Sequence, residues 1–377
     1  GELKENKSQL EAADKAGDKL DATLDDLSDS SENASDGFTV MKGAIADLIA
    51  DGIKKLADAV KNQLVEAMTS QDQAFNNFQA QTGASTKEMA SFRKEIKQLY
   101  ADNYGESLED VAEIMGRVKE QFETTDPSVL SDITKKAIIL RDTFDSDVNE
   151  TLRGANNLIR HFGLDADEAF DLIAKGSQNG LDYTDELGDN IAEYGGNFEQ
   201  AGYSAKEYFQ LLENGTKGGA YNLDKVNDSI NEVKNRLGDG TIEGALKNFG
   251  KTTQLTFKNW QKGKATMKDV INSIVKDITN CNNEQKALNM AATAFGTMGE
   301  DANLNVVKSL TTLGDSYDDV KGTMEEIDKI KYDDVKNQFA QIGRTLQMQV
   351  ITPLAQKAIP TVQKFTDYCI NNINKVA

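Results

Sequence analysis

Only three prolines, Pro127, Pro353 and Pro360, occur in 377 residues. Proline removes a backbone donor and clashes with the preceding helical turn, so long tracts of this chain contain nothing that would break a helix. The opposing signal is also weak. No window alternates Val, Ile, Thr and aromatic residues over six positions, as a half-buried strand would. Apolar residues recur instead at spacings of three and four, which places them on one side of a helix. The pattern predicts an all-α chain.

Composition narrows the chemistry more than the size does. Hydrophobic residues make up 38% of the chain, enough for a packed core. His161 is the single histidine and Cys281 and Cys369 are the two cysteines. These counts exclude a histidine-rich metal site, a zinc cluster of cysteines and a disulfide framework. The two cysteines are free or form one bridge. Forty-two Lys and Arg against 62 Asp and Glu give a net charge of −20. Duplex binding is driven by cations that neutralise phosphates, so naked nucleic acid is a poor partner. No apolar run approaches the length of a membrane span. The chain begins at Gly1 without a leader pattern, which reads as a fragment or a processed piece.

Three regions follow from periodicity. Residues 1–70 hold a heptad segment over 1–27, with Leu3, Leu10 and Leu24 in one seam position and Ala13, Leu20 and Leu27 in the other. A polar linker from Ser28 to Gly37 follows. Ile45, Ile49, Ile53, Leu56, Val60, Leu64 and Met68 then mark a long amphipathic helix from Thr39 to Ser70. Residues 71–331 read as a compact domain of short helices, and 332–377 as a further long helix, bent or interrupted near Pro353 and Pro360.

Within the compact domain, Ser85 with Glu88, Asp165 with Glu168 and Ser204 with Glu207 have the spacing of a capping box. In that motif the first side chain accepts from a free N–H of the opening turn and the acid accepts from the cap's own N–H. Gly83, Gly163 and Gly202 lie two residues before these caps, where a left-handed turn ends the preceding helix. Two of the units match at an offset of 39: Gly163, Ala166, Glu168, Phe170, Leu172, Gly176 and Gly180 recur as Gly202, Ala205, Glu207, Phe209, Leu211, Gly215 and Gly219. The expectation is an internal 39-residue helical repeat, whose units bury their faces on one another. A weaker echo at Gly250, Phe257 and Gly263 lacks the glutamate of the cap.

Catalytic motifs do not emerge. Gly250-Lys251-Thr252 resembles the end of a phosphate loop, but Gly244 lies one residue too far back and no strand precedes it. His161 reads as a cation at a helix C-terminus. Asp25-Asp26, Asp318-Asp319 and Asp333-Asp334 are pairs expected by chance among so many acids. The stretch from Asp29 to Asp36 lacks the ligand spacing of a calcium loop. Aromatic residues between Phe75 and Phe209 read as core. No catalytic, cofactor-binding or metal-binding residue is assigned, no cofactor is implied, and a non-enzyme is expected.

Several segments carry a family likeness. Gln81-Thr-Gly-Ala-Ser85, Tyr104-Gly-Glu-Ser-Leu-Glu-Asp-Val-Ala112, Phe162-Gly-Leu-Asp-Ala-Asp-Glu-Ala-Phe170, Gln178-Asn-Gly180, Tyr221-Asn-Leu-Asp-Lys-Val226 and Tyr332-Asp-Asp-Val335 occur in the order seen in tail tape measure proteins of long-tailed bacteriophages. The chain resembles that family over roughly residues 65–350. The resemblance implies a virion structural protein in the lumen of the tail. Such a protein sets tail length during assembly in the host cytoplasm and leaves ahead of the DNA. The implied partners are the tail tube protein, tail assembly chaperones and tail-tip proteins. Self-association through helices and contact with the host membrane or envelope during ejection are further implied contacts, with no specific nucleic acid. A secreted or surface helical effector is the alternative, with a peptidoglycan-cleaving virion protein behind it.

Overall fold

The computed structural model describes residues 70–301 and 304–348, and all regular structure among them is helical. The heptad segment, the linker, the amphipathic helix up to Thr69 and the chain beyond Met348, with Pro353, Pro360 and Cys369, lie outside the described residues.

The first described helix, α1, covers 70–82. It is followed by α2 (Thr86–Ala101), α3 (Leu108–Gln121), α4 (Pro127–Phe144), α5 (Val148–Phe162), α6 (Ala166–Gln178), α7 (Leu187–Ala201), α8 (Ala205–Lys217) and α9 (Leu223–Gly238). Next come the single turn α10 (Thr241–Gly244), α11 (Lys251–Gln261), α12 (Met267–Thr279), α13 (Glu284–Asp301), α14 (Leu304–Ser309), α15 (Thr323–Tyr332) and α16 (Val335–Leu346). Pro127 sits in the first turn of α4, where its missing donor has no partner to lose. Gly296 breaks α13 with φ 58° and ψ −139°. Tyr332 closes α15 and α16 opens at Val335, so the helix expected to run on from Tyr332 starts after a break at Asp333–Asp334.

All three capping boxes read from the sequence form. Ser85, Asp165 and Ser204 each accept from the backbone N–H three residues on, and Glu88, Glu168 and Glu207 reach back to the caps. Gly83, Gly163 and Gly202 take φ of 65°, 71° and 95°, the left-handed region that costs a side chain energy and glycine little. A fourth box, Thr266 with Asp269, opens α12. Aspartate does there what the sequence reading asked of glutamate.

Helices α5 and α7 are each 15 residues long, and α6 and α8 each 13, with bounds 39 residues apart. The first pair runs parallel. Asn157 donates to the Ala192 carbonyl at 3.0 Å, Arg153 pairs with Asp189, and His161 lies against Gly196. The crossing is close because glycines meet there: a Cβ on Gly154 would lie 2.8 Å from the Gly188 carbonyl oxygen. Helix α9 continues the row in the same direction, with Asn227 donating to Asn190 and Lys234 to Asn197 at 2.8 Å. Helices α4, α6 and α8 form a second layer, in which the Phe209 ring fills the space left by Gly176.

The core is continuous between the layers. Phe198 and Tyr208 lie 4.2 Å apart by ring centroids, Tyr208 meets Phe209 at 5.9 Å, and Phe209 meets Tyr317 at 5.6 Å. Of the aromatic residues assigned to the core from sequence, Tyr183 is the exception, 47% exposed with its hydroxyl on the Tyr221 carbonyl. Fully burying one such ring is worth about 2–3 kcal/mol, so this file of rings is a principal tie between the layers.

Candidate functional site

Residues 311–345 cross the second layer in reverse order, from α8 through α6 and α4 to the turn after α2. Polar side chains of the layer hold this strap largely by its backbone. On α8, Asn214 donates to the carbonyls of Thr311 (2.7 Å) and Leu313 (3.0 Å), and Gln210 accepts from the Ser316 N–H at 3.2 Å. On α6, Asp171 is only 5% exposed and accepts from the N–H groups of Gly322 and Met324, both at 2.7 Å. That carboxylate caps α15, whose own cap residue Gly322 has no side chain to do so.

At α4 the strap becomes side chain to side chain. Asp328 pairs with Lys135 at 2.6 Å and accepts from the Tyr104 hydroxyl at 2.8 Å. Tyr104 is pushed up to about 12, first by burial and then by its hydrogen bond to the Asp328 carboxylate. Tyr332 donates to Asp142 at 2.8 Å. Finally Arg344 of α16 donates to the carbonyls of Tyr104 (3.2 Å) and Gly105 (2.9 Å), with its guanidinium 4.5 Å from the centre of the Tyr100 ring. Arginine satisfies the turn after α2 by hydrogen bonds and stacking together.

Glu213 of α8 is the most buried acid near the strap. Asn179 donates to it at 3.1 Å, Ser316 at 3.2 Å, and Lys217 forms an ion pair with it. Burial pushes its carboxyl up, but the Lys217 ammonium and the neighbouring donors outweigh that and leave it below the usual range.

A cleft of about 930 Å³ opens where α6 and α8 begin, lined among others by His161, Glu168, Tyr203, Lys206, Glu207 and Lys321. Most of its carboxylates are already engaged. Glu168 and Glu207 close their capping boxes, and Glu207 also takes Lys268 at 3.0 Å. The Tyr203 hydroxyl is buried without a hydrogen-bond partner, and burial, then the charges of Glu207 and Asp269, raise its pKa. Among the described residues no group of three His, Cys, Asp or Glu is placed to hold a metal. None of their helices is long and apolar enough to cross a membrane.

The residues weighed as candidates fall apart in space. His161 is exposed in the last turn of α5, beside Arg160. Gly250 donates its N–H to Asp277 at 2.7 Å, and Thr253 donates its hydroxyl to the same oxygen at 2.6 Å. A carboxylate therefore sits where a phosphate loop would hold phosphate, and a helix rather than a strand precedes it. Cys281 is a free thiol on the Asn283 carbonyl. What the arrangement does chemically is hold: one end of the chain clamps the helices laid down before it.

Residues 93–296, more than half of the chain, match the family described as phage-related minor tail protein. The chain belongs to that family. The minor tail protein match begins inside α2 and stops at Gly296, the break in α13, so it takes in both helical layers but not the strap. The chain is also 29% identical over 239 residues to a probable tape measure protein of Streptomyces phage phiC31, a match covering 61% of this chain and 32% of that relative. It therefore spans about a third of that relative's length. No solved structure matches the chain. The segments that resemble tape measure proteins serve here as caps and turns: Ser107 caps α3, Asp165 caps α6 and Asn222 caps α9.

Proposed function

We propose that this chain is part of a tape measure protein, a non-enzymatic component of a phage tail that occupies the tube lumen, sets tail length and leaves ahead of the DNA. The observation that carries the reading is the family match over residues 93–296, supported by a relative named as a probable tape measure protein. On this reading the molecule has two mechanical parts. The periodic residues 1–70 belong to the extended ruler, where each residue adds about 1.5 Å, and 70–348 form a folded module held closed by its strap. The compact region 71–331 and the terminal stretch 332–377 then act as one module at least as far as Leu346, because Arg344 is bonded to the turn after α2. The tail tube protein, tail assembly chaperones and tail-tip proteins are its partners.

Electron microscopy of phage carrying in-frame deletions tests the reading. Removing residues 1–28 shortens the tail by about 42 Å at the helical rise. Deletions inside the folded module block tail formation rather than scale it. Full-length tails on particles that assemble but fail to infect would replace the ruler with a delivery role, and particles unaffected by any deletion would return the secreted effector.

A further inference from the structure

Lysines concentrate in one segment near the far end of the parallel helices. In a chain of net charge −20, residues 244–268 contain six lysines and no aspartate or glutamate. Lys247, Lys251, Lys258, Lys262 and Lys264 are all exposed, and none of them takes part in an ion pair among those found in the described residues. Lys251, Leu255, Lys258 and Lys262 recur at four, three and four, so they share one side of α11, opposite the buried Thr253 and Phe257. Leu255 on that side is 60% exposed.

The opposite charge gathers at the other end of the same helices. Asp147 and Glu150 open α5, Glu186 and Asp189 open α7, and Asp224 and Asp228 lie in the first turns of α9. These three helices run parallel, so their carboxylates share one end. Burial and then Asp189 push Glu150 up, and burial and then Glu186 push Asp224 up, while Arg153, paired with Asp189, offsets part of this charge. The lysines belong to the far end. Gly202, which ends α7, packs on Thr266 two residues beyond Lys264, and Lys247 follows shortly after the end of α9. A 15-residue helix such as α7 separates the two ends by about 22 Å.

We propose that the lysine face of α11 docks on the acidic helix ends of a second copy of this chain, joining copies head to tail. Charge complementarity selects the occupant: the chain carries its own negative surface, on a rigid row of helices. The net charge of −20 repels duplex phosphates, anionic lipid and a second copy alike, so the choice rests on the matched acidic helix ends that a copy presents on a rigid surface. Lipid is disfavoured again because Phe257, the apolar side of α11, is already buried. A contact between two different patches is heterologous and does not close after two copies, so it builds a row of copies pointing the same way. The inference stands apart from the ruler reading, because it depends on surface charge and not on tail length.

Sedimentation of the full chain at about 0.01 M and about 1 M ionic strength tests it, since exposed charge pairs are screened at the higher value. The expected result is a mass that keeps rising with concentration at low salt and a loss of that rise at high salt. The triple variant Lys251→Glu, Lys258→Glu, Lys262→Glu and the double variant Asp224→Lys, Asp228→Lys each weaken self-association about tenfold or more, and a mixture of the two regains it. Self-association that neither variant changes overturns the proposal, as does a mixture that regains nothing. Salt-sensitive capture of duplex DNA or phosphatidylglycerol vesicles by the lysine face, without self-association, overturns it in favour of that partner. Circular dichroism of each variant establishes that its helices are intact.

Discussion

Two kinds of helix start coexist in this molecule. Helices α2, α6, α8 and α12 carry their own caps, a Ser, Asp or Thr with an acid three residues on. Helices α11 and α15 begin at Gly250 and Gly322 with no side-chain cap of their own, and each borrows a carboxylate from elsewhere. Asp277 serves the first from 27 residues away, and Asp171 serves the second from 151 residues away. A local cap stabilises one helix whether or not the rest has folded. A borrowed cap exists only once its two elements have met, so the one from Asp171 makes the strap's order depend on the layer that holds it. The difference separates the part of the molecule that can form piecewise from the part that closes it.

Replacing the caps sharpens or breaks that contrast. Asp171→Ala removes two bonds from a buried carboxylate to backbone N–H groups, and a loss of about 3 kcal/mol in urea unfolding is expected, together with faster proteolysis within 311–322. Asp277→Ala exposes a half-buried site with one backbone and one hydroxyl donor, and should cost about 2 kcal/mol. Ser204→Ala should cost about 1 kcal/mol, the usual value for a cap, and leave proteolysis of the strap unchanged. If Ser204→Ala and Asp171→Ala cost the same, or both loosen the strap, the distinction between local and borrowed caps fails.

The smallest effect concerns pH. Glu207 is pushed up by burial, but the Ser204 and Lys268 donors hold its carboxyl below the ordinary 4.5. A carboxyl lowered on folding adds stability that is present above its unfolded pKa and is lost as pH falls through the folded one. Glu207→Gln should therefore lower stability at pH 7 while flattening its fall in acid, as measured by thermal unfolding from neutral pH to about pH 3. An unchanged acid slope would mean that the box contributes nothing through its charge.

Much of the fold was legible because it rests on short-range chemistry. Scarce proline, spacing of three and four, and the Ser85, Asp165 and Ser204 boxes each act within one or two helical turns. The equal bounds of α5–α6 and α7–α8 fall where the glycines at 163 and 202 sit. The α12 cap uses Asp269, one methylene shorter than the glutamate of the other three boxes, although Thr followed three residues later by Asp is a readable signal. The lysine run over 244–268 was equally readable as charge, and only its clustering at one end of the helices needed coordinates.

By itself the sequence determined that this chain is helical, that helices start after Ser85, Asp165 and Ser204 and stop at the glycines before them, and that its net charge is strongly negative. Those properties depend on residues in or next to the same turn. Only the tertiary structure decided that Asp171 would hold Gly322 and that Arg344 would hold the turn after α2. Only it set α5, α7 and α9 parallel, so that acids gather at one end and lysines at the other. Such pairings join residues far apart in the chain, and no local spacing reveals them. They are fixed when Gly154 and Gly188 let two backbones meet and the Phe209 and Tyr317 rings close between the layers.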